Sequence, residues 1–451
     1  MGLLIYNITI FTNDETNRIL TDSAIAIEGN RIKEVGREAE LKEKYAQFQS
    51  IDGAGRLLMP GWINVHMHFY STFARGLALS RKPHNFAEIL QFLWWRLDRS
   101  LDLEAVYYST LIPAITAIKH GVTAFIDHHA SPFAVDGSLD RVEAALHQVG
   151  LRGILCYEVS DRDGAEIARQ GLRENERFIQ ECQHARKQNP EYAFNGMIGL
   201  HASFTLGEES LEAAAELSER FQRGCHIHLL EDDVDRAETQ RKYGYQSVVQ
   251  RLIAKGILKS NSLAAHGIHL SEAEKDQFAT SGAFLSHQPQ SNMNNAVGRT
   301  DISGFLTREV TVGIGTDGMT PDVKADVRAA SLIHKHDLHD PNFGWAEIQK
   351  MALKNNPAIY SRISGERIGQ IVPGYLADLI LVDYFPPTAL TSENVWGHVL
   401  FGIIDAPVDT VIVNGKVVMK NKIIEHIDEE KIAHDARQVS ERVWKKFYDL
   451  K

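Results

Sequence analysis

Hydrophobic positions fall into two textures along the chain. At both ends, short runs such as "LLIYNITIFT", "SAIAIEGNRIKEVG", "LADLILVDY" and "DTVIVNGKVVMKN" read as strands, because side chains alternate faces along extended backbone. Gly29-Asn30 and Asn414-Gly415 mark tight hairpin turns among them. Between the ends, apolar strand-like runs alternate with amphipathic stretches, the pattern of parallel strands joined by crossover helices. Eight such runs occur: "WINVHMH" (62–68), "TAFIDHH" (123–129), "RGILCYE" (152–158), "NGMIGLH" (195–201), "GCHIHLLE" (224–231), "LAAHGIH" (263–269), "AFLSHQP" (283–289) and "VTVGIGTD" (310–317).

Eight runs with helices between them predict an α/β chain whose core is a (β/α)8 TIM-like barrel. A doubly wound sheet shares the same repeat. The polar endings favour the barrel, since almost every run finishes on His, Asp or Glu, at the end where barrel enzymes place their chemistry. The barrel is expected over residues 58–367. Residues 1–57 and 368–451 are expected to meet as a small composite β-sandwich domain carrying a C-terminal helix.

Charge and composition narrow the partners. With 48 Lys and Arg against 59 Asp and Glu, the net charge of −11 offers no basic field for nucleic acid or an anionic membrane surface. No apolar run approaches the roughly 18 residues that cross a bilayer. The three cysteines, Cys156, Cys182 and Cys225, form no C-x-x-C pair and fit a reducing, cytoplasmic compartment. A small-molecule partner is the expectation.

The strand ends carry the candidate chemistry. His66 and His68 in "HMH" point to one face of a strand, yet His-x-His alone is common by chance. His228, His266 and Asp317 stand at the ends of the fifth, sixth and eighth runs, with Glu231 three residues beyond His228. Taken singly, each is more often a satisfied histidine or a capping aspartate. Jointly, at one end of successive runs, they point to a divalent cation, Zn²⁺ or a similar ion, with one position left for water.

The segments "LLMPGWINVHMH", "GVTAFIDHH", "HIHLLE", "LAAHGIHLSE", "SHQPQSNMNNAVG", "GIGTDG" and "IGQIVPGYLADLILVD" resemble, in order, those of the amidohydrolase superfamily, in its cytosine deaminase, guanine deaminase and chlorohydrolase-like branch. The resemblance implies that His66, His68, His228 and Asp317 hold one metal ion and that Glu231 and His266 complete the catalytic set. It also implies a homodimer or higher homo-oligomer. Binuclear relatives bridge two metals with a modified lysine at the fourth strand, and "YAFNGMIGLHASF" contains none, so one ion is expected. Zn²⁺ is the first expectation, with Fe²⁺ and Mn²⁺ compatible with the same donors.

The chemistry follows from the residue types. A cation so held brings a water toward ionisation at neutral pH. Asp317 is suited to take that water's proton, and His266 to orient it. Glu231, once protonated, is suited to give a proton to a ring nitrogen and then to a departing amine. The expected reaction is hydrolytic release of ammonia from a cyclic amidine of a purine, pyrimidine or pterin. Ring opening at a cyclic amide C–N bond, as in imidazolonepropionase-like relatives, needs the same donors and is the alternative; a catalytically silent assembly protein is a more remote one.

Ser71, His128, His129 and His201 are the further candidates for contact with substrate. "HMHFYST" and "DHHASPF" resemble segments of 8-oxoguanine deaminase-like enzymes, but Ser71 stands where those carry Gln, so the purine itself does not carry over. His226 is expected one layer deeper than His228. "FLWWRL" (92–97) reads as a lid or a core-packing helix, Asn292 and Asn294 as hydrogen-bonders near the site, and "HKHDLHD" (334–340) as a solvated helix end.

Overall fold

The structure, a computed structural model, describes residues 2–450. Eight parallel strands form the barrel: Trp62–Met67, Val122–His129, Arg152–Val159, Ile198–Ala202, Cys225–Leu229, Leu263–His266, Phe284–His287 and Val312–Ile314, with Phe194–Gly196 as a short lead into the fourth. The ring closes where Met67 bridges Asp317 and the Thr316 amide donates to His66 O at 2.9 Å. Gly315 permits this closure, because a β-carbon there would sit 2.7 Å from His66 O.

These strands are buried on both faces, which explains their nearly continuous apolar runs. Inward-facing Val65, Ile126, Ile154, Met197 and Leu263 fill the barrel floor. Outward-facing residues meet the crossover helices. In Ala165–Gln188, for example, Ala168, Leu172, Phe178, Ile179 and Cys182 recur at helical spacing and are buried. The filled floor leaves space only at the C-terminal ends of the strands, where the polar residues gather.

The chain ends form one nine-stranded sheet, in which Leu57–Pro60 pairs antiparallel with Leu379–Val382 and parallel with Gly2–Phe11. Ile25, Leu379 and Ile412, from distant strands of this sheet, share one buried core, which makes the chain ends a second domain beside the barrel. Two expected boundaries move. Leu57–Pro60 belongs to this sheet, placing the start of the barrel after Pro60. The C-terminal helix Glu429–Asp449 packs on the barrel instead, where Trp444 Nε1 donates to Phe73 O at 2.8 Å and Arg442 pairs with Glu104 at 2.5 Å. Among the described residues no helix is long and apolar enough to cross a membrane.

Candidate active site

His66, His68, His228 and Asp317 converge at the mouth of the barrel, with one donor atom from each within 4.8 Å of the others. His68 Nε2 lies 3.1 Å from His228 Nε2 and 3.1 Å from Asp317 Oδ1, and His66 Nε2 lies 3.7 Å from the same oxygen. Donors about 2.0–2.1 Å from a tetrahedral ion stand about 3.4 Å apart, so this set has the spacing of a ligand shell.

The second nitrogen of each ring is already engaged. His68 Nδ1 donates to His128 O at 2.5 Å, His228 Nδ1 to His201 O at 2.9 Å, and His66 Nδ1 faces His226 Nε2 at 2.8 Å. Each outer bond fixes the ring with its proton on the outer nitrogen, so that Nε2 of the neutral ring presents a lone pair inward. His66 Nε2 is buried without a hydrogen-bond partner in the protein. Burial lowers the His66 imidazole to about 3, whereas burial of His68 is outweighed by Asp317, Glu158 and Asp127, which push it up to about 9. The field at this point favours a positive charge. Burial would raise Asp317, but hydrogen bonds from His66 and His68 hold it well below the usual carboxylate range.

Backbone bends aim the remaining groups. His266 and Asp317 adopt left-handed φ values of 72° and 55°, and Leu230, just before Glu231, has φ 46°. Such angles are costly for residues with side chains and recur at functional sites. His266 Nε2 faces Glu231 Oε2 at 3.5 Å and Asp317 Oδ2 at 3.9 Å, while its Nδ1 is held by Asn292 Oδ1 at 2.8 Å. Burial pushes the Glu231 carboxyl up to about 7, against the pull of His266 and with help from the charge of Asp317. Asn295 Nδ2 donates to Glu231 Oε1 at 3.2 Å, and Ser291 Oγ to Asp317 Oδ2 at 2.5 Å.

A cavity with about 790 Å³ of open space covers this cluster. Trp94, Trp95, Phe86, Leu90 and Phe204 give it an apolar wall. Trp95 is fixed by the Arg162 guanidinium, 5.4 Å from its ring centre and itself paired with buried Asp98.

The remaining sequence candidates separate. His201 lines the cavity. Thr205 Oγ1 donates to Ala202 O and therefore accepts from His201 Nδ1 at 2.8 Å, leaving His201 Nε2 as an acceptor. Ser71 also lines the cavity, but its hydroxyl lies 2.8 Å from His68 O and 2.9 Å from Gly318 O and serves the backbone. His128 and His129 are fully buried behind the cavity wall. His128 Nε2 bonds His226 O, and His129 Nε2 bonds Ser131 Oγ at 2.9 Å, so neither ring meets the cavity directly. Asn294 borders the cavity, whereas Asn292 supports His266 from behind. His334 is no solvated helix end: it is buried, with Nε2 3.1 Å from His287 Nε2.

Glu158, Ser291 and Asn295 line the cavity without having been singled out. For Glu158 the signal existed, since its strand "RGILCYE" ends on it as others end on histidine.

The amidohydrolase family model matches residues 57–418, most of the chain. The chain belongs to the amidohydrolase family. It is 31% identical over 448 residues to a 5-methylthioadenosine/S-adenosylhomocysteine deaminase of Pelotomaculum thermopropionicum, covering 97% of this chain and 98% of that relative. It is 30% identical over 412 residues to a 5′-deoxyadenosine deaminase of Methanothermobacter thermautotrophicus, covering 90% and 91%. Among solved structures, an adenosine deaminase from Xanthomonas campestris with bound zinc superposes with a TM-score of 0.82 at 22% identity, over 98% of both chains. The atrazine chlorohydrolase of Arthrobacter aurescens complexed with zinc gives 0.79 at 21% identity, over 97% of this chain and all of that one. At these identities the structural likeness is one of fold.

Proposed function

We propose that this amidohydrolase is a metal-dependent deaminase that hydrolyses the cyclic amidine of an aminopurine, releasing ammonia and leaving a ring carbonyl. The observation that carries this reading is the protonatable Glu231 beside the His66, His68, His228 and Asp317 nest, under one cavity. The names of the relatives support a purine nucleoside as the substrate, and the apolar wall of Trp94, Trp95 and Phe204 suits a flat base.

His66, His68, His228 and Asp317 would hold the ion, and their three imidazoles and one carboxylate suit Zn²⁺. A divalent cation held there supplies a nucleophile at neutral pH by lowering the pKa of a water. Asp317 takes the proton of the attacking water, and His266, fixed by Asn292, orients that water toward the ring carbon. Glu231 protonates the adjacent ring nitrogen as the carbon becomes tetrahedral, is recharged with the proton that Asp317 took from the water, and passes it to the amine as the C–N bond breaks; the hydroxyl that becomes the ring carbonyl returns its proton to Glu231. His201 Nε2 accepts a hydrogen bond from the substrate. The three unpaired, buried cysteines support a reducing compartment.

The test is elemental analysis of the purified protein and its His68→Ala variant, with ammonia release from 5′-deoxyadenosine, 5′-methylthioadenosine, guanine, 8-oxoguanine, isocytosine and pterin. About one equivalent of metal, lost in the variant, together with ammonia from a purine, is expected. A metal-replete protein releasing no ammonia from the panel would remove the deaminase reading.

A further inference from the structure

Glu158 is the penultimate residue of the third barrel strand, is 5% exposed and lines the cavity. One of its oxygens lies within 4.8 Å of ring nitrogens of His68, His128 and His228, which puts it at the reaction centre. His128 Nδ1, 3.1 Å from Oε2, is its one close polar partner, and no other donor among the described residues hydrogen-bonds this carboxylate. Even the His128 contact is poorly aligned, since that ring nitrogen counts as buried without a hydrogen bond. A carboxylate has about four acceptor sites, and burying one with so few donors is costly unless a ligand supplies them.

The two cavity carboxylates sit on different flanks of the cluster. Glu231 groups with His266 and Asp317, and Glu158 with His68, His128 and His228. An amidine carries two unlike nitrogens on its reacting carbon, a ring nitrogen that accepts and an amino group that donates. Glu231 answers the first. We propose that Glu158 answers the second: its carboxylate accepts a hydrogen bond from the amino group that leaves, and so selects substrates whose leaving group bears N–H. This assignment rests on the deaminase reading above.

The consequence is chemical as well as steric. An amine that donates to a carboxylate gains electron density, which favours its protonation by Glu231 before departure. Glu158 itself neither gains nor loses a proton. Its oxygens border the cavity with few donors of the protein's own, so Glu158 accepts while Glu231 donates. After the reaction, a carbonyl oxygen replaces the amino group and faces the same carboxylate, which disfavours retention of product.

The test compares Glu158→Gln with the parent, metal content and thermal transition measured alongside. Each is assayed on the best amine of the panel and on its chloro counterpart, 6-chloropurine riboside for the adenosine series or 2-chlorohypoxanthine for guanine, which releases chloride and has no N–H on its leaving group. In the variant, kcat/KM on the amine is expected to fall about 10- to 100-fold more than on the chloro compound. Calorimetry is expected to show the deaminated product binding more tightly to the variant. The ratio within one protein does not depend on the fraction folded, and Glu158→Asp, which withdraws the charge by one methylene, serves if the Gln variant does not fold. Equal losses on both substrates, or loss of metal in the variant, would overturn the assignment while leaving deamination intact. A parent inactive on every amine would overturn both.

Discussion

His66 Nδ1 lies 2.8 Å from His226 Nε2, and the direction of that hydrogen bond is set one layer deeper by a thiol. Cys156 Sγ–H donates to Asp127 O at 3.3 Å, leaving the sulfur to accept from His226 Nδ1 at 3.7 Å. His226 Nε2 then carries a lone pair, accepts from His66 Nδ1–H, and presents His66 Nε2 bare to the site. Burial keeps His226 far below its ordinary pKa, so the ring stays neutral. His226→Phe keeps a ring in place but removes the acceptor. Metal affinity, read by competition with a chelator, is expected to fall about 10- to 100-fold. Unchanged affinity would mean that this deeper layer does not orient His66.

Glu231→Gln keeps the shape of the side chain but cannot carry the proton. Asn295, 3.2 Å from Oε1, can still hold the amide oxygen. Metal content is expected to stay at one equivalent while kcat falls about 10²- to 10⁴-fold. A variant with near-parental kcat would require a different acid.

Asp326 is fully buried and accepts from the Gln290 backbone N–H at 3.0 Å and from Gln290 Nε2 at 2.9 Å. Burial pushes its carboxyl up from 3.8 to about 7 despite these donors. The folded protein therefore binds a proton that the unfolded chain has lost between about pH 4 and pH 7. Stability from this group is complete below pH 4, declines as pH rises through that window and levels off above it. Asp127, at about 7, and Asp98, at about 6, act in the same direction, so the comparison between proteins is what matters. In urea denaturation, Asp326→Asn is expected to lose less stability than the parent between pH 5 and pH 8. Parallel pH profiles would remove Asp326 as a contributor.

Arg152 and Asp378 form a buried ion pair at 2.5 Å between the third barrel strand and the composite sheet. Asn414, at the hairpin turn, completes it: its amide donates to Asp378 Oδ1 at 2.7 Å and its side-chain oxygen accepts from Arg152 at 2.6 Å. Asp378→Ala leaves the guanidinium buried without its counter-charge. A loss of about 3–5 kcal/mol in unfolding free energy is expected. Replacing both partners by apolar residues is expected to cost less than the single change.

The sequence by itself determined which residues stand at strand ends. The eight apolar runs, their polar endings and the hairpin at Asn414-Gly415 are local features, because strand periodicity and turn chemistry act over a few residues. That locality made the barrel and the grouping of His66, His68, His228, His266 and Asp317 readable. Tertiary structure alone decided where each side chain of that set points. His128 and His129 share a strand end, yet both are enclosed, while Glu158 from the next strand borders the cavity. His334 looks like a surface residue in its helix and becomes buried because His287, 47 residues away, packs against it. The strand Leu57–Pro60 joins the chain-end sheet because Leu379–Val382 pairs with it across more than 300 residues. The left-handed bends at Leu230, His266 and Asp317 are held by barrel closure and packing, not by the preferences of those residues. Contacts between distant segments leave no periodic trace in the chain, so the choice between a ligand, a buried support and a cavity wall is made only when the barrel closes.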